Sequence, residues 1–448
     1  MKKSARSVAC LIKRQTDMPQ TRRHFLSNAL KTGALTAFGG SAITACSKPA
    51  GNRAPKVVII GGGYGGATCA RYIRYFDPDV DVTLVEARPR YHTCPFSNAV
   101  LGGLQDAALI TLDYAGLKTH GVNVIHAAAR TIHPEKRTVT LTDGATLPYQ
   151  RLVISPGISF LWNHIFTGYD ETASSTMPHA WHGREQLMLL RKQLVGMRGG
   201  GVFAIVVPGT PFRCPPGPYE RAGLVAHYLR QANPRAKLLI LDANEHFSKQ
   251  DLFEEAWYSL YPGMIEHVPI SAGGLVSGID PKRMSLQAEG GEFKVDVANV
   301  IPFQQAGQLA VDHGLIDETG WCPVDHQTFA STLVPDIHVL GDSCLAGNMP
   351  KSASSANSQA KVCSLAIVSL LREREPGAMF YHNTCYSLVA PDYGISINSM
   401  YRYEGNRIKL IERAGGLSPL RATMEYRAKE AAYARSWYAS INRDSFGV

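Results

Sequence analysis

The sequence of 448 residues has no CxxC, no CxxCH and no paired Cys/His spacing, which excludes a structural zinc site and an attached haem c, so no metal is expected. No segment offers the roughly 20 apolar residues that cross ~30 Å of hydrocarbon as a helix; the mildly apolar stretch Ala34–Ala45 is too short. Internal repeats and low-complexity tracts are missing. Acidic residues are almost missing from positions 1–54, which hold ten Lys/Arg and the single acid Asp17. Positions 55–448 hold 36 basic and 36 acidic residues, so the formal charge of +9 belongs to a leader. A neutral body excludes a nucleic acid as partner. What is present is an ordinary globular composition, 45% hydrophobic and 19% charged with 41 glycines, in a chain long enough for two or three cores.

The leader has its own grammar. Thr21-Arg22-Arg23-His24-Phe25-Leu26 is a twin-arginine pattern ahead of the Gly/Ala-rich stretch, which predicts Tat export to the periplasm, with Met18 as an alternative start. Ile43-Thr44-Ala45-Cys46 has the form of a lipobox, so a lipid anchor at Cys46 competes with ordinary cleavage near Ala50. Nine cysteines less Cys10 and Cys46 leave seven in the body, an odd number for an oxidising compartment.

The body opens with a βαβ pattern: strand Lys56–Ile60, a glycine turn, a helix over 67–76, and a strand over 80–85 ending at Glu86. Gly61, Gly63 and Gly66 form G-x-G-x-x-G between strand and helix, where glycines permit close backbone approach and the helix N-terminus faces a pyrophosphate. Glu86 lies 25 residues beyond Gly61, placed to accept from ribose hydroxyls. Further on, Ile154-Ser155-Pro156-Gly157 resembles an Ala-Thr-Gly-like strand end, and Pro335–Asp342 resembles the second FAD signature of glutathione-reductase-like flavoproteins, in which the last acid, here Asp342, binds the ribityl chain. The three motifs in this order predict FAD. A second α/β unit begins near Gly201, yet the loop after its first strand carries five prolines between Val207 and Tyr219. Those residues donate no N–H, so the backbone forms no phosphate cradle and the unit is expected not to bind NAD(P)H.

Residues 55–448 resemble the flavoprotein subunit of flavocytochrome c sulfide dehydrogenase. The resemblance is carried by Tyr91-His92-Thr93-Cys94-Pro95-Phe96-Ser97-Asn98, by Pro211-Phe212-Arg213-Cys214 through Ala222, by Gly341-Asp342-Ser343-Cys344 with Met349–Gln359, and by Asn383-Thr384-Cys385-Tyr386-Ser387 and Ser436-Trp437-Tyr438. It implies FAD linked covalently through Cys94, a redox disulfide of Cys214 and Cys344, sulfide as substrate and a c-type cytochrome as electron acceptor. Glu220, a lone acid at the helix start after Cys214, reads as a proton donor or acceptor or as a capping charge. Cys322, Cys363 and Cys385 are then structural or spare. Two other outlets share the same parts: a sulfide:quinone oxidoreductase, or an accessory electron-transfer flavoprotein of a sulfur-oxidation system. The charges along Met424–Ile441 (Glu425, Arg427, Lys429, Glu430, Arg435) weigh against membrane insertion and so against a quinone.

The expected architecture is α/β: two Rossmann-like three-layer domains and a C-terminal α+β interface domain. The leader and linker take 1–54, an FAD-binding domain 55–160 and 295–375, a second Rossmann-like domain without an NAD motif 161–294, and the last domain 376–448.

Overall fold

A computed structural model describes residues 54–377 and 379–448. Arg22, Arg23, Cys46 and the rest of the leader lie outside the described residues. The opening strand Lys56–Ile60 (KVVII) is an unbroken apolar run because both its faces are covered. It forms the centre of a five-stranded parallel sheet, ordered Ile337–Val339, Arg151–Ile154, Lys56–Ile60, Asp81–Val85, Asn123–Ile125. Val57 and Ile59 are fully buried, each contributing about 1.5–3 kcal/mol of apolar transfer. The helix after the glycines runs Tyr64–Phe76 and lies against helix Ala353–Leu371. The latter is capped by Ser352, whose hydroxyl accepts from the Ser355 amide at 3.0 Å.

The second parallel sheet is ordered Ile265–Val268, Lys237–Asp242, Val202–Val207, Val297–Val300. Its last strand corrects one expected boundary. Residues 295–301 were assigned to the returning part of the FAD domain, but Val297–Val300 pairs with Val202–Val207. The return is made later, through the ribbon of Ile158–Phe160 with Gln304–Ala306 and the strand Ile337–Val339. The reason is topological: a short apolar strand reads alike in either sheet, and only pairing decides.

The C-terminal part is the antiparallel meander Phe380–Ala390, Tyr393–Glu404, Arg407–Leu417, followed by helix Met424–Phe446. That helix returns to the opening one. Tyr64 donates to Asn442 at 2.7 Å, Thr68 to Ser445 at 2.9 Å, and Asn357 to Asp444 at 2.8 Å. Phe446 is fully buried against Tyr64 and Tyr91. Among the described residues, no helix is long and apolar enough to cross a membrane.

Candidate active site

The glycine turn forms as the motif demands. Gly61 has φ +97°, a Cβ on Gly66 would overlap the Gly61 carbonyl, and one on Gly62 would meet the Tyr114 hydroxyl at 2.6 Å. Glu86 accepts from the Gly62 amide at 2.7 Å and from the Arg88 amide at 3.0 Å, so the acid and the turn share one rim. Gly63 follows at the start of the helix. Opposite them stand Ser155, whose amide donates to Ile60 at 2.8 Å, and Gly157 with φ +73°, whose carbonyl takes the Ser343 hydroxyl.

Gly61, Gly62, Gly63, Glu86, Ser155 and Gly157 line one cavity of about 410 Å³, within the roughly 300–1,000 Å³ of ligand sites, while Gly66 packs behind the turn on Gly61. Asp342 also lines the cavity, and one of its carboxylate oxygens is buried without any partner. Burial raises this carboxyl against the opposing charges of Arg213 and Lys351. A glycine cradle, an acid on its rim and an orphan carboxylate oxygen waiting for a hydroxyl fit a dinucleotide such as FAD.

Three cysteines reach the same cavity. Cys94 precedes the short helix Ser97–Leu101, and Cys214 lies within the proline loop with φ 60°. The Cys214 amide donates to Lys351 O at 2.8 Å, and its carbonyl accepts from Gly217 at 2.8 Å, which starts helix Gly217–Ala232. Pro216 and Pro218 suit that helix start, where missing N–H groups cost nothing. The Cys94 and Cys214 thiols are close neighbours. This lowers Cys94 to about 7, with Arg213 assisting against burial, while the same contact and burial raise Cys214. Cys385 enters from strand Phe380–Ala390, its thiol raised by burial and opposed by Lys249.

Cys344 is not there. The expectation that Cys214 and Cys344 share one face of the cofactor is corrected by the backbone. The single turn Gly341–Ser343 folds the chain back, so the Cys344 thiol donates to Gly341 O at 3.2 Å and meets Gln359 Oε1 at 3.6 Å. Its cross-strand neighbour is Cys322, it is 3% exposed, and burial pushes it up to about 12. Cys385, set aside as spare, occupies the cavity wall instead. Its signal was the Asn383–Ser387 stretch, which carried resemblance but no spacing rule.

Glu220 sits in the first turn of Gly217–Ala232, between Cys214 and Cys385. Its oxygens accept from Asn98 Nδ2 at 2.8 Å and from the Leu388 amide at 2.9 Å, and burial raises it. Arg213 and Lys249 were not singled out by sequence. Arg213 stands beside Cys214 in the proline loop; Lys249 lies in a loop without any motif.

In the second sheet, the position that would hold the adenosine ribose of a nicotinamide dinucleotide is engaged internally. Asp242, at the end of its strand, accepts from Tyr219 at 2.6 Å and from the Asn244 amide at 2.9 Å, and His267 lies 3.0 Å away. Phe247 stacks on Tyr219 with ring centroids 3.6 Å apart.

Residues 55–207 match the family "Pyridine nucleotide-disulphide oxidoreductase". Residues 187–302 match "Sulfide dehydrogenase [flavocytochrome c] flavoprotein chain, central", and residues 378–446 match "Flavocytochrome c sulphide dehydrogenase, flavin-binding". The sulfide dehydrogenase [flavocytochrome c] flavoprotein chain of Chlorobaculum thiosulfatiphilum is 58% identical over 45 residues, covering 10% of this chain and 94% of that one. A mitochondrial sulfide:quinone oxidoreductase of Dictyostelium discoideum is 25% identical over 321 residues, 68% of this chain and 69% of that one. Among solved structures, the sulfide:quinone oxidoreductase from Aquifex aeolicus superposes with TM-score 0.67 at 17% identity, covering 88% and 93% of the two chains. Fold and site together define a flavoprotein of the pyridine nucleotide-disulfide oxidoreductase class. Within that class, the chain belongs to the flavocytochrome c sulfide dehydrogenase flavoprotein family, among the sulfide-oxidising flavoproteins.

Proposed function

We propose that this chain oxidises sulfide at a disulfide of Cys214 and Cys385, with FAD held through Cys94, and delivers the electrons to a c-type cytochrome. The observation that carries the reading is that Cys94, Cys214, Cys385 and half-buried Glu220 line the same cavity. Hydrosulfide attacks one sulfur of the disulfide; the S–S bond breaks, leaving a persulfide on one cysteine and a thiolate on the other. Glu220, raised by burial, holds or takes the proton exchanged at these sulfurs. FAD, when bound, supplies acceptance of two electrons and their release one at a time. Gly61, Gly63, Gly66 and Glu86 would hold its dinucleotide end, and Ser155, Gly157 and Asp342 its ribityl side.

Cys94 suits covalent attachment because a thiol lowered to about 7 is far more ionised near neutral pH than an ordinary cysteine. Its contact with Cys214 favours a second arrangement, in which those two form the disulfide and the FAD is not linked. Acid precipitation separates them. Yellow colour retained in the pellet of the wild type and lost in Cys94→Ala supports the link; colour lost from the wild type supports the alternative.

For the acceptor, the internally bonded Asp242 and the filled Tyr219–Phe247 position support an electron source other than NADH. The charged helix Met424–Phe446 supports a soluble haem partner over a quinone. The Arg22-Arg23 leader supports periplasmic action, with or without a lipid on Cys46. The deciding assay follows sulfide-dependent reduction of cytochrome c beside a short-chain quinone and NADH. Faster reduction of quinone than of cytochrome c would overturn this choice.

A further inference from the structure

Lys249 is 5% exposed, which is rare for a lysine. Its backbone sits at φ 64°, immediately before helix Gln250–Leu260. Its ammonium donates to the Cys385 carbonyl at 3.2 Å and to the Ser387 hydroxyl at 2.8 Å, and lies 5.6 Å from the centre of the Phe253 ring. No carboxylate among the described residues bonds to it; Glu220, whose charge it helps offset, is bonded instead to Asn98 and the Leu388 amide. Burying an ammonium without a bonded anion is costly. A cation held so firmly beside a redox cysteine is matched to a charge that arises only during turnover.

The reaction supplies that charge. Resting on the reading of Cys214 and Cys385 as the redox pair, attack by hydrosulfide carries one negative charge from water onto a buried sulfur. The outcome is Cys–S–SH on the attacked residue and Cys–S⁻ on the other, with no charge created or lost. Around Cys385 stand Lys249, Glu220, Cys94 and Cys214. Around Cys214 stand Cys94, Glu220 and Cys385, with Arg213 and Arg221 in range of both Cys94 and Cys214. Arg213 also faces Asp342, and Arg221 is held by Asn98, Asn299 and the Ala180 carbonyl, whereas the Lys249 ammonium hydrogen-bonds the Cys385 residue itself.

We infer that Lys249 is a positioning residue that makes Cys385 the released thiolate, so that the incoming sulfur is retained on Cys214. By holding the Cys385 carbonyl and the Ser387 hydroxyl, it also fixes the strand that aims this sulfur into the cavity.

The test uses reduced, flavin-loaded full-length protein, alkylated with iodoacetamide across pH 6–10 and read at Cys385 by peptide mass spectrometry. In Lys249→Met the Cys385 midpoint should rise by about one pH unit, roughly tenfold slower labelling at neutral pH, and Lys249→Arg should restore most of the shift. Ser387→Ala should move it the same way by less, which keeps the test open if Lys249→Met does not fold. When the oxidised, disulfide-bonded protein is instead given one equivalent of sulfide, the persulfide mass should lie on Cys214 in the wild type and on both cysteines in Lys249→Met. An unchanged Cys385 midpoint in folded Lys249→Met, or in Ser387→Ala if the former fails to fold, overturns the inference. Sulfide turnover surviving in Cys385→Ser would instead remove the redox pair itself, a separate result.

Discussion

A cysteine is defined by its neighbours more than by its place in the chain, and the cavity shows this with three of them. Cys94 is lowered by a thiol donor and a guanidinium, Cys214 is raised by the same partnership, and Cys385 is raised by burial beside a lysine. Cys344 stands two positions after Asp342 in sequence, yet its sulfur is spent on Gly341 and Gln359 behind the wall. Substitution separates the two. Cys214→Ser and Cys385→Ser should each lower sulfide turnover by at least about a thousandfold with the flavin spectrum retained. Cys344→Ser should stay within about twofold of wild type, as measured by sulfide-dependent cytochrome reduction. Sequence reading chose Cys344 because adjacency to a cofactor motif is visible in one dimension. The reversal made by a three-residue turn is not, and neither is the pairing that brings strand Phe380–Ala390 to the cavity.

At the level of elements, local chemistry was the legible part. The G-x-G-x-x-G turn with Glu86, and the proline loop, depend on contacts within a strand, a turn and a helix, and both form as their residues dictate. Gly66→Ala tests the first. A methyl group there meets the Gly61 carbonyl, so the turn must open and attached flavin per chain should fall by about tenfold or more, seen as lost visible absorbance against protein. The strand Val297–Val300 was the illegible part, since its apolar residues suit either sheet. Lys249 was hidden for another reason: a loop lysine has no periodicity, and its burial comes from the meander and from helix Gln250–Leu260 closing over it.

Over the whole molecule, two buried histidines set a limit on acid stability. His179 accepts the Trp181 amide at 3.0 Å and is lowered to about 3, chiefly by burial; His338, fully buried, is lowered to about 4 for the same reason. Above pH 6.5 both are neutral folded or unfolded, and they contribute nothing to the balance. As pH falls below 6.5, the unfolded chain takes up protons that the folded one refuses, so stability declines by about 1.4 kcal/mol per histidine per pH unit down toward pH 4. Urea midpoints measured from pH 7 to pH 4.5 should show this decline, reduced in His338→Gln. The leader makes its own prediction: Arg22→Lys with Arg23→Lys should leave precursor in the cytoplasm, scored by fractionation.

The bond between Tyr64 and Asn442 joins positions 378 residues apart, and Cys385 lies nearly as far from the glycine turn. During synthesis, the nucleotide cradle therefore emerges long before the cysteine, the lysine-bound strand and the closing helix that complete its walls. A ribosome pausing midway holds a cradle with an open side, where any captured flavin is free to leave. Completion of the cavity is thus a late event in the life of each chain. A cell that releases only finished, loaded molecules can read their maturity from how firmly Met424–Phe446 has docked onto Tyr64–Phe76.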